Sequence, residues 1–330
     1  MFSSGIKEED TRLGYGNTSI TGSIMALMRP SRREILQAGA VAGLGMIAPT
    51  IMATENTSQK HKFKLSYGPH FGMFSNHAKT DEDQLRFAAD EGFTSWEDNG
   101  MRGRSAADQE KLGKVMRDVG ITMGVFVVND IDWTNPTITT GRQDHLDKFL
   151  QNCRDSVDVA KRCGAKWMTV VPGTCDLRQD IGYQTANVVE ALRKAADIFQ
   201  PHGLIMVLEP LNFRDHPNLF LNKIAQGYEI CRAVNSPSCK ILFDIYHQQI
   251  HEGNIIPNID RAWSEIAYFQ IGDNPGRREP TTGEINYLNV FKHIHGKGYK
   301  GVMGMEHGNA KPGKEGERAL IDAYKKVDSF

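Results

Sequence analysis

Eight apolar runs recur along the chain, at residues 63–67, 93–96, 121–128, 167–171, 205–208, 241–243, 267–271 and 302–305. Their hydrophobicity is continuous rather than alternating. That pattern predicts strands buried on both faces, as in a parallel sheet. Helix-length amphipathic segments separate them. Asp81–Glu91 follows Thr80, a good N-cap, and stops before Gly92. Ala106–Val119 ends before Gly120, and Gln143–Cys163 ends before Gly164 with Phe149, Val157 and Ala160 at helical spacing. Further helices are predicted at 184–199, Ile224–Val234, 259–265, 288–297 and 316–327. Strand–helix alternation repeated eight times predicts an α/β fold, a closed (β/α)₈ TIM barrel, and no linker or low-complexity segment divides it.

In such a barrel the chemistry lies at the C-terminal ends of the strands. Four successive runs each end at or near a side chain with a metal-capable oxygen: Glu209, Asp244, Gln270 and Glu306. A carboxylate placed straight after an apolar run is costly to bury alone. Three carboxylates and one amide around a divalent cation offset that cost, because hard cations take oxygen ligands. Consecutive strands are barrel neighbours, so the four ends share one half of one mouth. Taken singly, each has a plainer role: Glu209 as partner of a buried arginine, Asp244 as a helix N-cap, Gln270 satisfying backbone groups, Glu306 pairing with a loop lysine. His247, three residues after Asp244, is placed to face the same cavity and orient substrate or touch the metal, or else to serve as a satisfied structural histidine. His70 and Glu97, near the ends of strands 1 and 2, are candidate substrate contacts. The loop after strand 7, Gly272-Asp273-Asn274-Pro275-Gly276-Arg277-Arg278-Glu279-Pro280-Thr281-Thr282-Gly283-Glu284-Ile285-Asn286-Tyr287, is rich in turn formers yet carries Arg277, Arg278 and Glu284. An arginine fork there can hold a carboxylate bidentately.

Composition narrows the function. The net charge is −1, with 39 basic and 40 acidic residues, so a nucleic-acid or anionic-membrane surface has no electrostatic support. Five cysteines at scattered spacing form neither a disulfide framework nor a CxxC zinc pattern. The N-terminus reads differently. Ser31-Arg32-Arg33-Glu34-Ile35-Leu36-Gln37 is a twin-arginine pattern, followed by a short Gly/Ala-rich apolar stretch and a candidate cleavage site at Ile51-Met52-Ala53. The stretch is too short for a stable membrane span. Residues 1–58 are therefore expected to be a removable Tat leader, with translation starting at Met1, Met25 or Met28, and the protein to be periplasmic or exported (cytoplasmic if the leader is inert). Residues 59–330 are expected to form the single catalytic barrel.

Several segments together resemble the hydroxypyruvate isomerase family of the xylose isomerase-like barrels. They are Leu208-Glu209-Pro210-Leu211-Asn212, Phe243-Asp244-Ile245-Tyr246-His247-Gln248-Gln249, Gln270 through Pro280, Gly283-Glu284-Ile285-Asn286-Tyr287 and Gly304-Met305-Glu306. The resemblance covers most of 63–326 and matches only loosely around Gly68-Pro69-His70-Phe71-Gly72 and Trp96-Glu97-Asp98. It implies metal-ligand positions at Glu209, Asp244, Gln270 and Glu306, an acid/base pair of Glu209 and Glu306, and Mg²⁺ or Mn²⁺ as the cation. It also implies conversion of hydroxypyruvate to tartronate semialdehyde, with Arg278 or Arg277 on the substrate carboxylate and a keto acid or keto-sugar as the small-molecule partner. A keto-sugar 3-epimerase, a 3-keto-sugar isomerase or lyase, and a non-catalytic exported sugar-binding barrel are the competing readings. An abasic-site endonuclease of the same superfamily needs a histidine-rich multi-zinc site and a basic face, and the sequence offers neither. A homo-oligomer is compatible with the pattern.

Overall fold

A computed structural model describes residues 60–330, so the expected twin-arginine leader lies outside the described residues. Eight parallel strands appear in the expected order: β1 Ser66–Gly68, β2 Ser95–Trp96, β3 Thr122–Met123, β4 Trp167–Val170, β5 Ile205–Leu208, β6 Cys239–Asp244, β7 Ile266–Gln270 and β8 Val302–Gly304. Six of them form one sheet in the order β1-β8-β7-β6-β5-β4, and β2 pairs with β3. Two isolated parallel bridges join the pieces: His70 to Glu97 beyond β1 and β2, and Val127 to Thr169 between the β3 arm and β4. Backbone bonds from Glu97 N to Pro69 O (2.8 Å) and from Thr169 N to Phe126 O (2.8 Å) accompany them. The ring is thereby closed, and the fold is a (β/α)₈ barrel.

Helices α1 Asp81–Glu91, α2 Ala106–Val119, α3 Gln143–Cys163, α4 Ile181–Phe199, α5 Ile224–Val234, α6 Ile245–His251, α7 Ile255–Ala262, α8 Tyr287–Gly296 and α9 Gly313–Val327 surround it. Thr80 Oγ1 caps α1 by accepting from Asp83 N, as its sequence signals. Gly92 ends α1 at φ 104°, and a Cβ there would lie 2.1 Å from His61 O, so only glycine fits. The segment expected as one helix over 259–265 is instead α7 followed by a 3₁₀ turn at Trp263–Glu265. Before it, α6 begins directly at the end of β6, because Asp244 supplies the N-cap that starts it. No helix among the described residues is long and apolar enough to cross a membrane.

Two hydrophobic layers hold the barrel. The larger, which includes Leu85, Leu112, Phe149, Leu192 and Leu320 of the helices, lies between strands and helices. The smaller comprises Val125, Val207, Leu242, Tyr268 and Val302. Side chains two apart on a strand share a face. Val207, Leu242, Tyr268 and Val302 form this separate, fully enclosed cluster, which places them inside the barrel. Their i+2 neighbours are Glu209, Asp244, Gln270 and Gly304, which therefore form the next layer up, at the C-terminal rim.

Candidate active site

The parity of the strands brings the expected residues together. Ligand-capable atoms of Glu209, Asp244, His247 and Glu306 all lie within 4.8 Å of one another. Glu209, Asp244 and His247 are buried, whereas Glu306 is half-buried. Asp244 divides its oxygens between two tasks. Oδ1 accepts from Tyr246 N (2.7 Å) and His247 N (3.2 Å), capping α6, while Oδ2 faces the cluster. Gln270 sits alongside. Its Nε2 donates to Glu97 Oε1 at 2.9 Å, and its buried Oε1 accepts no hydrogen bond from the described residues. A buried amide oxygen without a donor is costly, and it adds a fourth oxygen suited to a hard cation.

Burial and mutual repulsion govern the electrostatics. Burial first, then the Glu306 and Asp244 charges, push Glu209 well above the usual carboxylate range. Burial also raises Glu306 to about 7, with Arg277 pulling against it and Asp244 adding to the rise. Glu97 is raised to about 8 by burial and by Glu306, against the hydrogen bonds from Gln270 and Tyr268. Carboxylates that crowd each other in low dielectric resist ionisation. A dication among Glu209, Asp244, Gln270 and Glu306 would reverse that, so the donor set fits a divalent metal of the Mg²⁺ or Mn²⁺ kind.

One protein cation already reaches the cluster. Arg277 Nη2 lies 2.5 Å from Glu306 Oε2, 3.4 Å from Asp244 Oδ2 and 3.3 Å from His247 Nε2. Its guanidinium also packs over the Tyr246 ring at 4.9 Å. Asp273 builds the loop that delivers it. That buried carboxylate accepts from Asn274 N (2.9 Å), Gly283 N (2.9 Å) and Ile285 N (3.1 Å). The turn-rich sequence after β7 is thus folded around one acid.

His247 is held in a defined tautomer. Asn212 Oδ1 accepts from Arg214 N and Asp215 N, both at 3.0 Å, which fixes its amide orientation. Asn212 Nδ2 then donates to His247 Nδ1 at 2.7 Å, and Asn212 N does so at 3.2 Å. With Nδ1 an acceptor, the hydrogen sits on Nε2, which points at Asp244 Oδ2 (3.6 Å) and Glu209 Oε1 (3.9 Å). Burial lowers this histidine to about 4, so it is neutral near neutral pH. In this tautomer Nε2–H is a donor toward the cluster, and the 3.3 Å approach of Arg277 Nη2 to the same nitrogen is a contact between two donors and not a hydrogen bond.

The remaining sequence-derived candidates separate. Glu97 is only 1% exposed and lies beneath the rim, accepting from Gln270 Nε2 and Tyr268 Oη (2.9 Å each). It supports the Gln270 amide and also borders a cavity at the mouth. Glycine makes that possible: a Cβ on Gly304 would fall 1.7 Å from Glu97 Oε2, and one on Gly124 would fall 2.3 Å from Tyr268 Oη. His70 is half-buried, with Nε2 3.1 Å from His307 O, and lines a cavity of about 290 Å³ with Glu97, Asn99 and Glu306. Arg278 is exposed beside Gly308, and exposed Glu284 accepts from Asn274 Nδ2 (2.7 Å) and Gln249 Nε2 (3.2 Å). Of the arginine pair it is Arg277 that turns inward, because its backbone takes φ 49° at the turn. Asn99 escaped the sequence reading, yet its Nδ2 donates to Glu306 Oε1 at 3.0 Å. Asn212 escaped too, although its place four residues after the β5 run was a usable signal.

Known proteins align with this arrangement. A model of the xylose isomerase-like TIM barrel family matches residues 85–327. A 2-oxo-tetronate isomerase from Cupriavidus necator is 30% identical over 239 residues, which is 71% of this chain and 89% of that protein. A hydroxypyruvate isomerase from Escherichia coli is 37% identical over 181 residues, 54% of this chain and 69% of that protein. Among solved structures, an AP endonuclease, family 2, from Brucella melitensis superposes with a TM-score of 0.69 at 23% identity, covering 78% of this chain and 98% of its own. The 3-keto-D-glucoside 4-epimerase of E. coli gives 0.67 at 16% identity, covering 81% and 100%. At such identities these two establish the fold alone. This chain belongs to the xylose isomerase-like TIM barrel family and stands among its isomerase enzymes.

Proposed function

We propose that this protein is a divalent-metal-dependent isomerase of small α-hydroxy-carbonyl compounds, with hydroxypyruvate ⇌ tartronate semialdehyde as the leading reaction. One observation carries the reading: the carboxylates of Glu209, Asp244 and Glu306 converge beside the unpartnered Gln270 Oε1. The isomerase names of relatives matched over most of their own length support it. Glu209, Asp244, Gln270 and Glu306 would hold the cation. When bound it supplies Lewis-acid stabilisation of negative charge on the substrate's adjacent oxygens.

The chain's own groups then move the proton. Glu209 follows β5 and Glu306 follows β8, at the two ends of this run of four strands, and burial raises both above the usual carboxylate range, Glu306 to about 7. A carboxylate poised near the working pH is an effective general base, and its protonated form an effective general acid. One of the two removes the proton from the hydroxyl-bearing carbon, and the other returns one at the neighbouring carbon. His247 Nε2–H donates to a substrate oxygen as charge develops there. Arg277, within reach of Glu306 and Asp244, offers the guanidinium fork to the substrate carboxylate.

Purified protein loaded with Mn²⁺ or Mg²⁺ should convert hydroxypyruvate to tartronate semialdehyde, and do so in deuterated solvent with label entering carbon. Label exchange with inversion at one carbon and no movement of the carbonyl would replace this reading with a 3-epimerase. A protein that holds neither cation and turns over no hydroxy-carbonyl compound would remove the enzyme reading and leave a binding barrel.

A further inference from the structure

Burial of large apolar side chains fails on one arc of the rim. Among the described residues the large hydrophobics left exposed are Trp133, Leu177, Ile181, Tyr183 and Phe213. All five lie on the loops after β3, β4 and β5 or on the first turn of α4. Those loops are neighbours around the ring, and they are tied to one another. Cys175 N donates to Asn218 O (2.9 Å) and Phe220 N to Gly173 O (3.0 Å), while the Trp133 ring stacks on that of His216 at 4.9 Å.

The middle of this arc is a built element. Gln184, in the first turn of α4 and 2% exposed, commits its whole amide to the loop before it. Its Oε1 accepts from Asp176 N (2.9 Å), and its Nε2 donates to Asp176 O (3.0 Å) and Gln179 O (2.8 Å). Asp180 caps α4 by accepting from Gly182 N at 2.8 Å. These bonds fold residues 176–184 into one knob. Its outer surface is Leu177 (85% exposed), Ile181 (53%) and Tyr183 (69%). An apolar tip held in one conformation loses little further entropy when it is covered.

Area and charge point to a second copy of the chain as the cover. At about 200 Å² for a large side chain, the five residues expose roughly 600 Å². That reaches the top of the range for the largest patch of a monomer, about 300–600 Å². With a polar margin it approaches the roughly 800 Å² that each partner gives to a standard interface. The margin of the knob carries both signs, with Arg178 beside Asp176 and Asp180 exposed. An apolar centre edged by both charges is complementary to itself across a two-fold axis, where Arg178 of one copy meets Asp180 of the other. A net charge of −1 puts little repulsion between copies.

We infer that the knob between β4 and α4 is the centre of a two-fold interface between copies of this chain, with Leu177, Ile181 and Tyr183 of each copy buried against the other. The inference concerns association alone and holds whichever hydroxy-carbonyl compound the acids take.

Sedimentation velocity of the purified full-length chain, over a range of micromolar concentrations, tests it. Wild type sediments at the mass of two chains. The double variant Leu177→Asp/Tyr183→Asp sediments at the mass of one, with an unchanged circular dichroism spectrum. Its dissociation constant rises at least about a hundredfold, because like charges are brought face to face in an apolar contact. A monomeric wild type overturns the interface, and so does a dimer that survives both substitutions. Monomers that cosediment with phosphatidylcholine vesicles, and cease to in the double variant, assign the knob to a lipid surface and overturn it too. Hydrogen exchange on wild type needs no variant. Dilution to monomer should speed exchange at residues 173–184 and leave α8 and α9 unchanged, and a knob indifferent to dilution overturns the inference.

Discussion

With divalent cations removed by EDTA, raising the pH from 5 to 8 is expected to destabilise this protein steeply. Glu97 is the clearest contributor, being 1% exposed. Burial, with Glu306 and Asp244 nearby, raises its carboxyl from 4.5 to about 8. Below pH 4.5 the folded and unfolded chains both hold this proton, and the stability is fully present. As the pH climbs toward 8, only the unfolded chain releases it, so stability is lost across that window. At about 1.4 kcal/mol for each pH unit of separation, Glu97 alone removes on the order of 5 kcal/mol. Glu306, raised to about 7, and Glu209 act in the same direction through shared repulsions, so the three do not add. In a domain of this size 1 kcal/mol corresponds to about 2–4 °C in Tm. The melting temperature should therefore fall by roughly 10 °C or more. Saturating Mn²⁺ or Mg²⁺ should flatten the slope by favouring the ionised carboxylates in the folded state. Differential scanning calorimetry across pH, with EDTA and with Mn²⁺, provides the test. A flat profile in EDTA, or the same slope with and without metal, would refute the electrostatic account of the site.

Three further outcomes follow from individual contacts. Glu306→Gln should lower kcat by about 10²–10⁴-fold with an unchanged circular dichroism spectrum, since a positioned proton-transfer group contributes that much; near-normal turnover would dismiss its role. Gly304→Ala places a Cβ 1.7 Å from Glu97 Oε2. It should displace the carboxyl that holds Gln270 and weaken Mn²⁺ affinity by roughly 10–100-fold in calorimetric titration, as losing an outer-shell partner does. Arg277→Ala should lower stability in EDTA by about 1–3 kcal/mol through its lost charged hydrogen bonds. Mn²⁺ should shrink that difference, and equal losses with and without metal would show that the guanidinium and the metal do not share the carboxylates.

The barrel was legible because its strands announce themselves twice, by apolar runs and by the glycines that close the preceding helices. The rim residues were legible for a second reason. Strand parity obliges a side chain two positions past an inward apolar residue to point inward too, so Val207, Leu242 and Tyr268 commit Glu209, Asp244 and Gln270 to the interior. Loops carry no such periodicity. Arg278 and Arg277 are indistinguishable in the sequence, and only the turn fixed by Asp273 decides that Arg277 faces the carboxylates. Asn99 and Asn212 act on Glu306 and His247, residues far away in the sequence, and those partners cannot be read from the loops themselves. Glu97 was found at its strand end, but its bond to Gln270 was not, because a loop position and an inward layer look alike until the missing Cβ of Gly304 reveals the space.

Asp244 shows why the plainer and the functional readings of these residues are not alternatives. As an N-cap it accepts two backbone N–H groups with Oδ1, and those bonds fix its side-chain torsion. Oδ2 is thereby aimed at the cluster, where a freely rotating carboxylate would lose entropy on meeting a ligand. The same cap starts α6, and the first turn of α6 sets His247 three residues along, with its Nε2 facing Asp244 Oδ2. Glu97 and Gln270 repeat the arrangement: one hydrogen bond anchors Nε2 and leaves the buried Oε1 without a donor among the described residues. In each case a hydrogen bond that any fold could use for stability also fixes the orientation of the remaining oxygen. Preorganisation of this rim therefore comes from splitting donors and acceptors within single side chains, and it requires that replacing Asp244 damage the helix start and the cluster together.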